Sequence, residues 1–545
     1  MIQRIIDKIE SYPLSIPQFL LAFSAIIAVR MLGENLLMGL GDKSLGFFIG
    51  SALAAYLFFL FSFLLVLIFL AVYLKENLQK ISNVLLWGFW LAVLPPILDK
   101  ILCGSQKCWS FYAFDSLSGL LKRFFTFFGS DPTLGITYGV RIEVALAVIF
   151  VAIYIFLKTK NVLKSAIGAI LLYIILFILG SFPSWLAYFL LFPEKSPFLV
   201  QGFDVAGLFL SPMRYFSIEN GDILNALNVK MNLVYAFLIV FLLSFSFWSF
   251  YREKFWLITK NVRWIQVSMH IGIVLAGAGL GAFYYPQNAS LGIFSFLALA
   301  NLILAAVFAW LASVFLNDRE DVAIDRLTNF RRPLASGKME SEEYGSLFLV
   351  SFLASLILAL TVGVKFFLLI LAYQFIAWAY SSFPYRLKRF PVVSTFLSAW
   401  AFLILCFSGF ILISDSQNLS GFPAKFIWLL VFSLTLSLPI KDLKDIEGDK
   451  YDGVWTIPVL LGETWGRFAI GLGIFASYGL SVVLLNAKIL FFPAMILGAL
   501  SFWIMQNKKI PPRRVHIWVF GLLFIYVFIL VYLVFYPAFG LNLRV

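Results

Sequence analysis

The sequence predicts an all-α integral membrane protein, with about six spanning helices followed by a set of nine. Three observations carry this. First, 62% of the 545 residues are hydrophobic and the mean hydropathy is +0.95. Second, only 13% are charged, against roughly 25% in an ordinary soluble chain, which excludes soluble globular and disordered classes. Third, those charges cluster between apolar runs of about 18 or more residues, the length that crosses a bilayer. Aromatic residues at 18%, with 62 Phe and 15 Trp, fit lipid-facing helices and interfacial belts. The net charge of +13 fits basic loops at helix ends that attract anionic headgroups and phosphorylated molecules, and no nucleic-acid role is expected. Three Cys and two His exclude a disulfide scaffold and a Cys-rich metal site.

In order along the chain, residues 1–18 form a short amphipathic start without a cleavage signature, so the first span is expected to stay. The first set of spans is predicted near 17–40, 47–73, 82–102, 141–157, 165–193 and 231–250. The fifth of these is interrupted at Pro183, where a kink is expected. A polar stretch over 251–264 separates the second set, predicted near 265–285, 290–316, 346–362, 364–380, 391–414, 424–440, 467–485, 488–505 and 515–538. The two sets show no self-similarity of the kind that marks repeat-built transporters. The expected division is therefore an N-terminal membrane domain over 1–250 and a second domain over 255–545.

Alternating the nine spans places sixteen Lys and Arg on one side, from Arg319 to Arg514, and only Lys365, Lys425 and Lys488 on the other. Positive-inside bias then puts the basic loops in the cytoplasm, and the loops 103–140 and 194–230 outside.

Carboxylates concentrate at two helix ends. Asn317, Asp321 and Asp325 recur every four residues, so on a helix they share one face. Asp442, Asp445 and Asp449 repeat the arrangement at the end of the sixth span of the second set. Like charges one turn apart repel, and a divalent cation relieves the conflict. Hard oxygen donors without His or Cys point to Mg²⁺, which binds through few carboxylates together with substrate phosphates. Arg331, Arg332 and Lys338 follow the first cluster, and Lys441, Lys444 and Lys450 surround the second, so the pattern predicts a diphosphate site.

The residues from Asn317 to Asp325 resemble the NDxxDxxxD motif of UbiA-type membrane prenyltransferases, and Asn329 to Gly337 resemble the N…RP…SG continuation. Lys441 to Gly453, then Thr456, Pro458 and Gly462, resemble the second motif, KDxxDxxGDxxxGxxTLP, with Ile457 in place of Leu. Tyr380 to Lys388 resemble Y(S/T)xPPxRLK, with Phe383 in place of the first Pro. The resemblance covers about 255–545 and leaves 1–250 unassigned. It implies a nine-helix UbiA-like bundle around a central cavity, transferring a polyprenyl group from its diphosphate donor to a hydrophobic or aromatic acceptor in the lipid bilayer of a prokaryotic cell, with the catalytic loops cytoplasmic. Carried over by position, Asn317, Asp321, Asp445 and Asp449 are the implied Mg²⁺ ligands, with Asp325 and Asp442 in support. Asp321, Asp325, Asp445 and Asp449 are the expected catalytic carboxylates. Arg331, Arg332, Lys388 and Lys441 are the implied diphosphate contacts, and Tyr380 faces the developing prenyl cation. Relatives with these motifs use homogentisate, hydroxybenzoate, naphthoate, chlorophyllide, haem or glyceryl-phosphate lipid acceptors, so the acceptor stays open. The competing reading is a polytopic transporter or lipid-binding scaffold. It calls for ionisable residues at mid-span, whereas these lie at helix ends.

Elsewhere, His270 is expected to face inward beside Gly272 to Gly281, whose glycines permit close helix packing. His516 is expected at the interface, Cys406 in packing, Cys103 and Cys108 within reach of a disulfide, and Arg30 paired with Glu34 one turn away. Residues 1–250 are expected to bind a partner, organise the membrane or handle lipid.

Overall fold

The computed structural model describes residues 2–38, 45–104, 108–129, 134–192, 194–211, 223–289, 292–444, 446–451 and 453–535. The fold is helical, with fifteen candidate spans among these residues, six before residue 251 and nine after 263. The protein is an integral membrane protein. By their internal packing the described residues form two compact units, residues 2–211 with 223–252, and residues 253–535.

The N-terminal unit comprises α1 (Ile2–Glu10), α2 (Ile16–Met38), α3 (Leu45–Leu74), α4 (Leu78–Gly88), α5 (Leu94–Leu102), α6 (Leu117–Phe125), α7 (Tyr138–Thr159), α8 (Val162–Gly180), α9 (Phe182–Leu190), α10 (Gly202–Leu210) and α11 (Ile223–Phe250). Two-residue strands β1 (Trp109–Ser110) and β2 (Leu134–Gly135) pair in parallel between α5 and α7. Helix starts are set by side-chain caps. Thr137 accepts from the Val140 amide at α7, and Asn161 from the Lys164 amide at α8. The predicted single span over 165–193 is instead two helices. Ser181 leaves helical geometry (φ −120°, ψ 20°), and Pro183 sits in the first turn of α9, where its missing N–H costs nothing. The core gathers Phe23, Ile26, Phe63 and Leu86, with the Phe23 and Phe89 rings stacked at 4.8 Å. The predicted Arg30–Glu34 pair is replaced by Arg30–Glu143 at 3.8 Å, because Arg30 reaches across to α7 rather than along its own helix. Cys103 and Cys108 are bonded.

The C-terminal unit comprises α12 (Arg252–Asn261), α13 (Trp264–Tyr284), α14 (Ile293–Glu320), α15 (Val322–Thr328), α16 (Ser341–Val362), α17 (Val364–Ser381), α18 (Val393–Ile413), α19 (Ala424–Ser437), α20 (Ile446–Tyr451), α21 (Ile457–Leu485), α22 (Phe491–Gln506) and α23 (Pro512–Leu530). In lipid the helices gain little from burying apolar surface against each other, so small residues and polar bonds hold them. Ala298, Ala305, Ala309 and Ala312 of α14 are fully buried along the face toward α16, and Asn301 donates to Thr361 across that contact. Gly277 of α13 and Gly409 of α18 let two backbones meet. A Cβ on Gly277 would lie 2.0 Å from the Cys406 carbonyl oxygen, and one on Gly409 2.1 Å from that of Val274. Cys406 is buried in this contact, as its packing role requires. Large apolar side chains remain outside, such as Val483 at 75% exposure, as lipid-facing surfaces require.

Candidate active site

A cavity of about 310 Å³ opens inside the C-terminal unit. One end is polar and is built by the last turn of α14, α15, the turn after α17, the 3₁₀ segment Leu438–Lys444 and α20. The other end is aromatic, with His270, Trp310, Tyr373 and Phe402.

Asn317, Asp321, Asp325, Asp442 and Asp449 all line this cavity. Asp445 lies outside the described residues. The predicted shared helical faces are altered. Asp321 interrupts the first helix (φ −103°, ψ 14°) and is the hinge between α14 and α15. The second trio starts on a 3₁₀ turn, because Pro439 removes a donor from the α-helical ladder. The hinge sends neighbouring carboxylates to different cations. Lys388 Nζ donates to Asp321 Oδ1 at 2.6 Å and to Asn317 Oδ1 at 3.4 Å, and Arg386 Nη2 reaches Asp321 Oδ1 at 3.2 Å. Ser381 Oγ also donates to Asn317 Oδ1. Arg386 adopts the left-handed region (φ 41°, ψ 52°), the turn that brings its guanidinium back over α14.

Asp325 is ion-paired with Arg332, which also holds Asp318 at 3.0 Å. Burial raises the Asp325 carboxyl to about 6, with Arg332 pulling it back down and the Asp318 charge pushing up. Asp318, wholly buried, further accepts from Arg263 at 2.8 Å, Asn261 at 2.9 Å and Tyr344 at 3.3 Å. The four-residue spacing missed this residue because it lies one position off the stripe. Its neighbourhood to Asn317 was the available signal. On the facing side, Lys441 Nζ donates to the Tyr380 hydroxyl at 2.9 Å and sits 5.0 Å from that ring's centroid. Thr456 donates to Asp449 at 3.5 Å. The turns carrying the second motif need Gly453 (φ 66°) and Gly462 (φ 74°), values that side chains with a Cβ rarely adopt.

Of the predicted diphosphate contacts, Arg332, Lys388 and Lys441 line the cavity, while Arg331 is exposed and does not. Adjacent arginines in this turn point opposite ways, and only Arg332 meets the carboxylates. Residues the sequence reasoning left out of the site include Arg263, Ser381, Asn329 and Thr456, all lining it. His516, expected at the interface, lines it too. His270 is buried, with Nδ1 2.7 Å from the Gln266 carbonyl oxygen and Nε2 2.8 Å from the Tyr373 hydroxyl. The carbonyl accepts only, so Nδ1 carries the proton and Nε2 accepts from Tyr373.

No group of three or more His, Cys, Asp or Glu poised around one metal position occurs among the described residues. The donor set is nonetheless suited to Mg²⁺. It is entirely oxygen and divided between two segments that face one cavity, with Asp321 paired to Lys388 and Arg386 and Asp325 to Arg332.

The chain is 29% identical over 166 residues to a digeranylgeranylglyceryl phosphate synthase of Sulfolobus acidocaldarius, covering 30% of this chain and 58% of that protein. It is 29% identical over 174 residues to the bacteriochlorophyll synthase 33 kDa chain of Cereibacter sphaeroides, covering 30% of this chain and 55% of that one. The chain thus spans little more than half the length of these relatives. A solved UbiA homologue from Archaeoglobus fulgidus, bound to GPP and Mg²⁺, is similar at 20% identity and a TM-score of 0.39, over 50% of this chain and 96% of that one. Residues 274–528 match the UbiA prenyltransferase family, and the C-terminal unit of this chain is a UbiA-family unit on that match.

Proposed function

We propose that the C-terminal unit transfers a polyprenyl group from its diphosphate to a hydrophobic acceptor within the membrane. The observation that carries this reading is the two-ended cavity, with carboxylates, Lys388, Lys441 and Arg332 at one end and His270, Trp310, Tyr373 and Phe402 at the other. A prenyl diphosphate has the same two ends.

Ionising the allylic C–O bond leaves both bonding electrons on the diphosphate and a cation on the prenyl carbon. Lys388, Lys441 and Arg332 are the groups that would meet the leaving anion, and fixed cations in a dry site act without reorganising, often the largest catalytic contribution. Mg²⁺, held by Asn317, Asp321, Asp445 and Asp449 with Asp325 and Asp442 in support, would supply further neutralisation of that charge. Tyr380 and the aromatic end would shelter the cation from water until the acceptor's nucleophile attacks and loses its proton. The acceptor class tested first is a glycerol-lipid alcohol, on the likeness to digeranylgeranylglyceryl phosphate synthases. Aromatic acceptors are second. We place the catalytic loops in the cytoplasm on the sixteen-to-three charge balance.

The test is purified protein with a panel of prenyl diphosphates and both acceptor classes, reading diphosphate release and prenylated product by mass spectrometry. Mg²⁺-dependent product with either class supports the reading. Movement of the donor across vesicle membranes without diphosphate release would replace it with transport.

A further inference from the structure

The N-terminal unit contains a larger cavity, of about 450 Å³. It is lined mainly by α2, α3, α4, α7 and α8, with residues of the segments 89–92 and 110–112 and of α11, and none of its lining belongs to the prenyl-transfer site. Along α7 its wall runs through Val140, Glu143, Val144, Ala147, Val151 and Tyr154, spaced as one helical face, with Phe150 at its edge. From Val140 to Tyr154, at about 1.5 Å per residue, that face is about 21 Å long. A volume of about 450 Å³ drawn out over such a length is about one hydrocarbon chain wide, since packed carbons approach to about 3.5–4.0 Å.

The cavity's charged groups gather toward one end. Arg30 is only 8% exposed in its side chain, lines the cavity, and lies in the hydrophobic span of α2. Its Nη1 donates to the Ala92 carbonyl oxygen at 2.5 Å and lies 3.8 Å from Glu143, and its guanidinium carbon is 4.8 Å from the Phe59 ring centroid. Its Nε and Nη2 have no hydrogen-bond partner among the described residues. Asn35, also on the wall, has a buried Oδ1 without a partner among them. An intramembrane charge is costly, and its retention beside a cavity marks a binding position. Glu34 and Glu143 line the same cavity, so the charge of Arg30 is already countered at this end. That balance disfavours a phosphate and favours an uncharged oxygen that accepts from Arg30, with a hydroxyl proton able to reach an amide oxygen.

We propose that the N-terminal unit is a binding site for a linear long-chain lipid alcohol, its hydroxyl at Arg30 and its chain laid along α7 toward Leu70 and Ile81. The site stands independently of the prenyl-transfer reading, because every residue it uses lies in the N-terminal unit.

The test uses the full-length protein in lipid nanodiscs and a linear polyprenyl alcohol carrying a terminal diazirine. After irradiation, mass spectrometry is expected to find labelling confined to the apolar end, around Leu70, Ile81 and Val151. The matching hydrocarbon and the matching monophosphate are expected to compete about tenfold less well than the unlabelled alcohol, the size of one hydrogen bond from a charged donor. The paired variant Arg30→Met with Glu143→Leu keeps the charge balance and is expected to bind alcohol and hydrocarbon alike. Ala147→Trp, or independently Ala54→Phe from the facing wall, fills the chain's path and is expected to abolish labelling while thermal unfolding stays within a few degrees. Three results would overturn the assignment: labelling spread over lipid-facing positions such as Ile149, better competition by the monophosphate, or unchanged labelling in both folded filling variants.

Discussion

Asp321 is held by two cations, Lys388 and Arg386, inside a cavity. Asp318, three residues earlier, is held by Arg263 and Arg332 with its side chain wholly buried. The two carboxylates should therefore fail differently. Asp321→Ala, and likewise Asp445→Ala in the second motif, should lower transfer by about 10²–10³-fold or more while leaving detergent-solubilised protein folded, because on the proposed reading each removes a carboxylate that serves the diphosphate. Near-native turnover in either would remove the metal assignment. Asp318→Ala should instead lower stability, by roughly 3 kcal/mol, since it strips Arg263, Arg332, Asn261 and Tyr344 of a shared acceptor. An unchanged melting temperature would contradict that role. The four-residue repeat made Asp321 and Asp325 legible in the sequence, for periodicity is what a helix face looks like in one dimension. It hid Asp318, whose importance comes from Arg263 and Tyr344, distant in the chain. It could not separate Arg331 from Arg332 either, since which of two neighbours turns inward is fixed by the carboxylates they meet.

At the scale of the helix, the fifteen spans were legible because length and hydropathy are properties of the run itself. The break at Ser181 was foreshadowed only as a kink. Pro183 fits equally well inside a bent helix or at the first turn of a new one, and the tertiary bonds choose: Ser184 Oγ donates to the Ala113 carbonyl oxygen, anchoring α9 to the segment after β1. Of the glycines of α13, Gly277 and Gly281 are the packing residues expected, whereas a Cβ on Gly272 or Gly279 would meet nothing within 4 Å, and the partner of Gly277, Gly409 of α18, could be found only in three dimensions. The close approach of those backbones predicts that Gly409→Val destabilises by about 1–3 kcal/mol, since the added Cβ meets the Val274 carbonyl rather than a movable side chain. Melting in detergent checks this, and Gly479→Val on α21, where a Cβ meets nothing within 4 Å, is the matched control. Equal melting temperatures for the two variants would refute the packing argument.

For the whole molecule, the charge balance and the disulfide lead to one topology. Reporters fused within 331–345 and 450–460 should read cytoplasm, and those within 104–138 and 194–230 the outside, where a Cys103–Cys108 bond is chemically at home. Thiol reagents applied to intact cells should label the pair only after reduction, and finding residues 331–345 outside would invert the span order. The two compact units lead to the larger prediction, that residues 253–545 expressed alone retain prenyl transfer from a soluble short-chain donor. Every described residue lining the candidate active site belongs to that unit, as do the nine later spans, and the basic helix α12 at its start is tied to α16 through the Lys254–Glu343 pair. The N-terminal cavity, by contrast, draws its lining wholly from the other unit. Because a fragment that fails to insert says nothing of chemistry, its helicity and melting are measured first. A folded, Mg²⁺-loaded fragment that ionises no donor would mean that the first six spans complete the active site, and the assignment of catalysis to the C-terminal unit alone would fall.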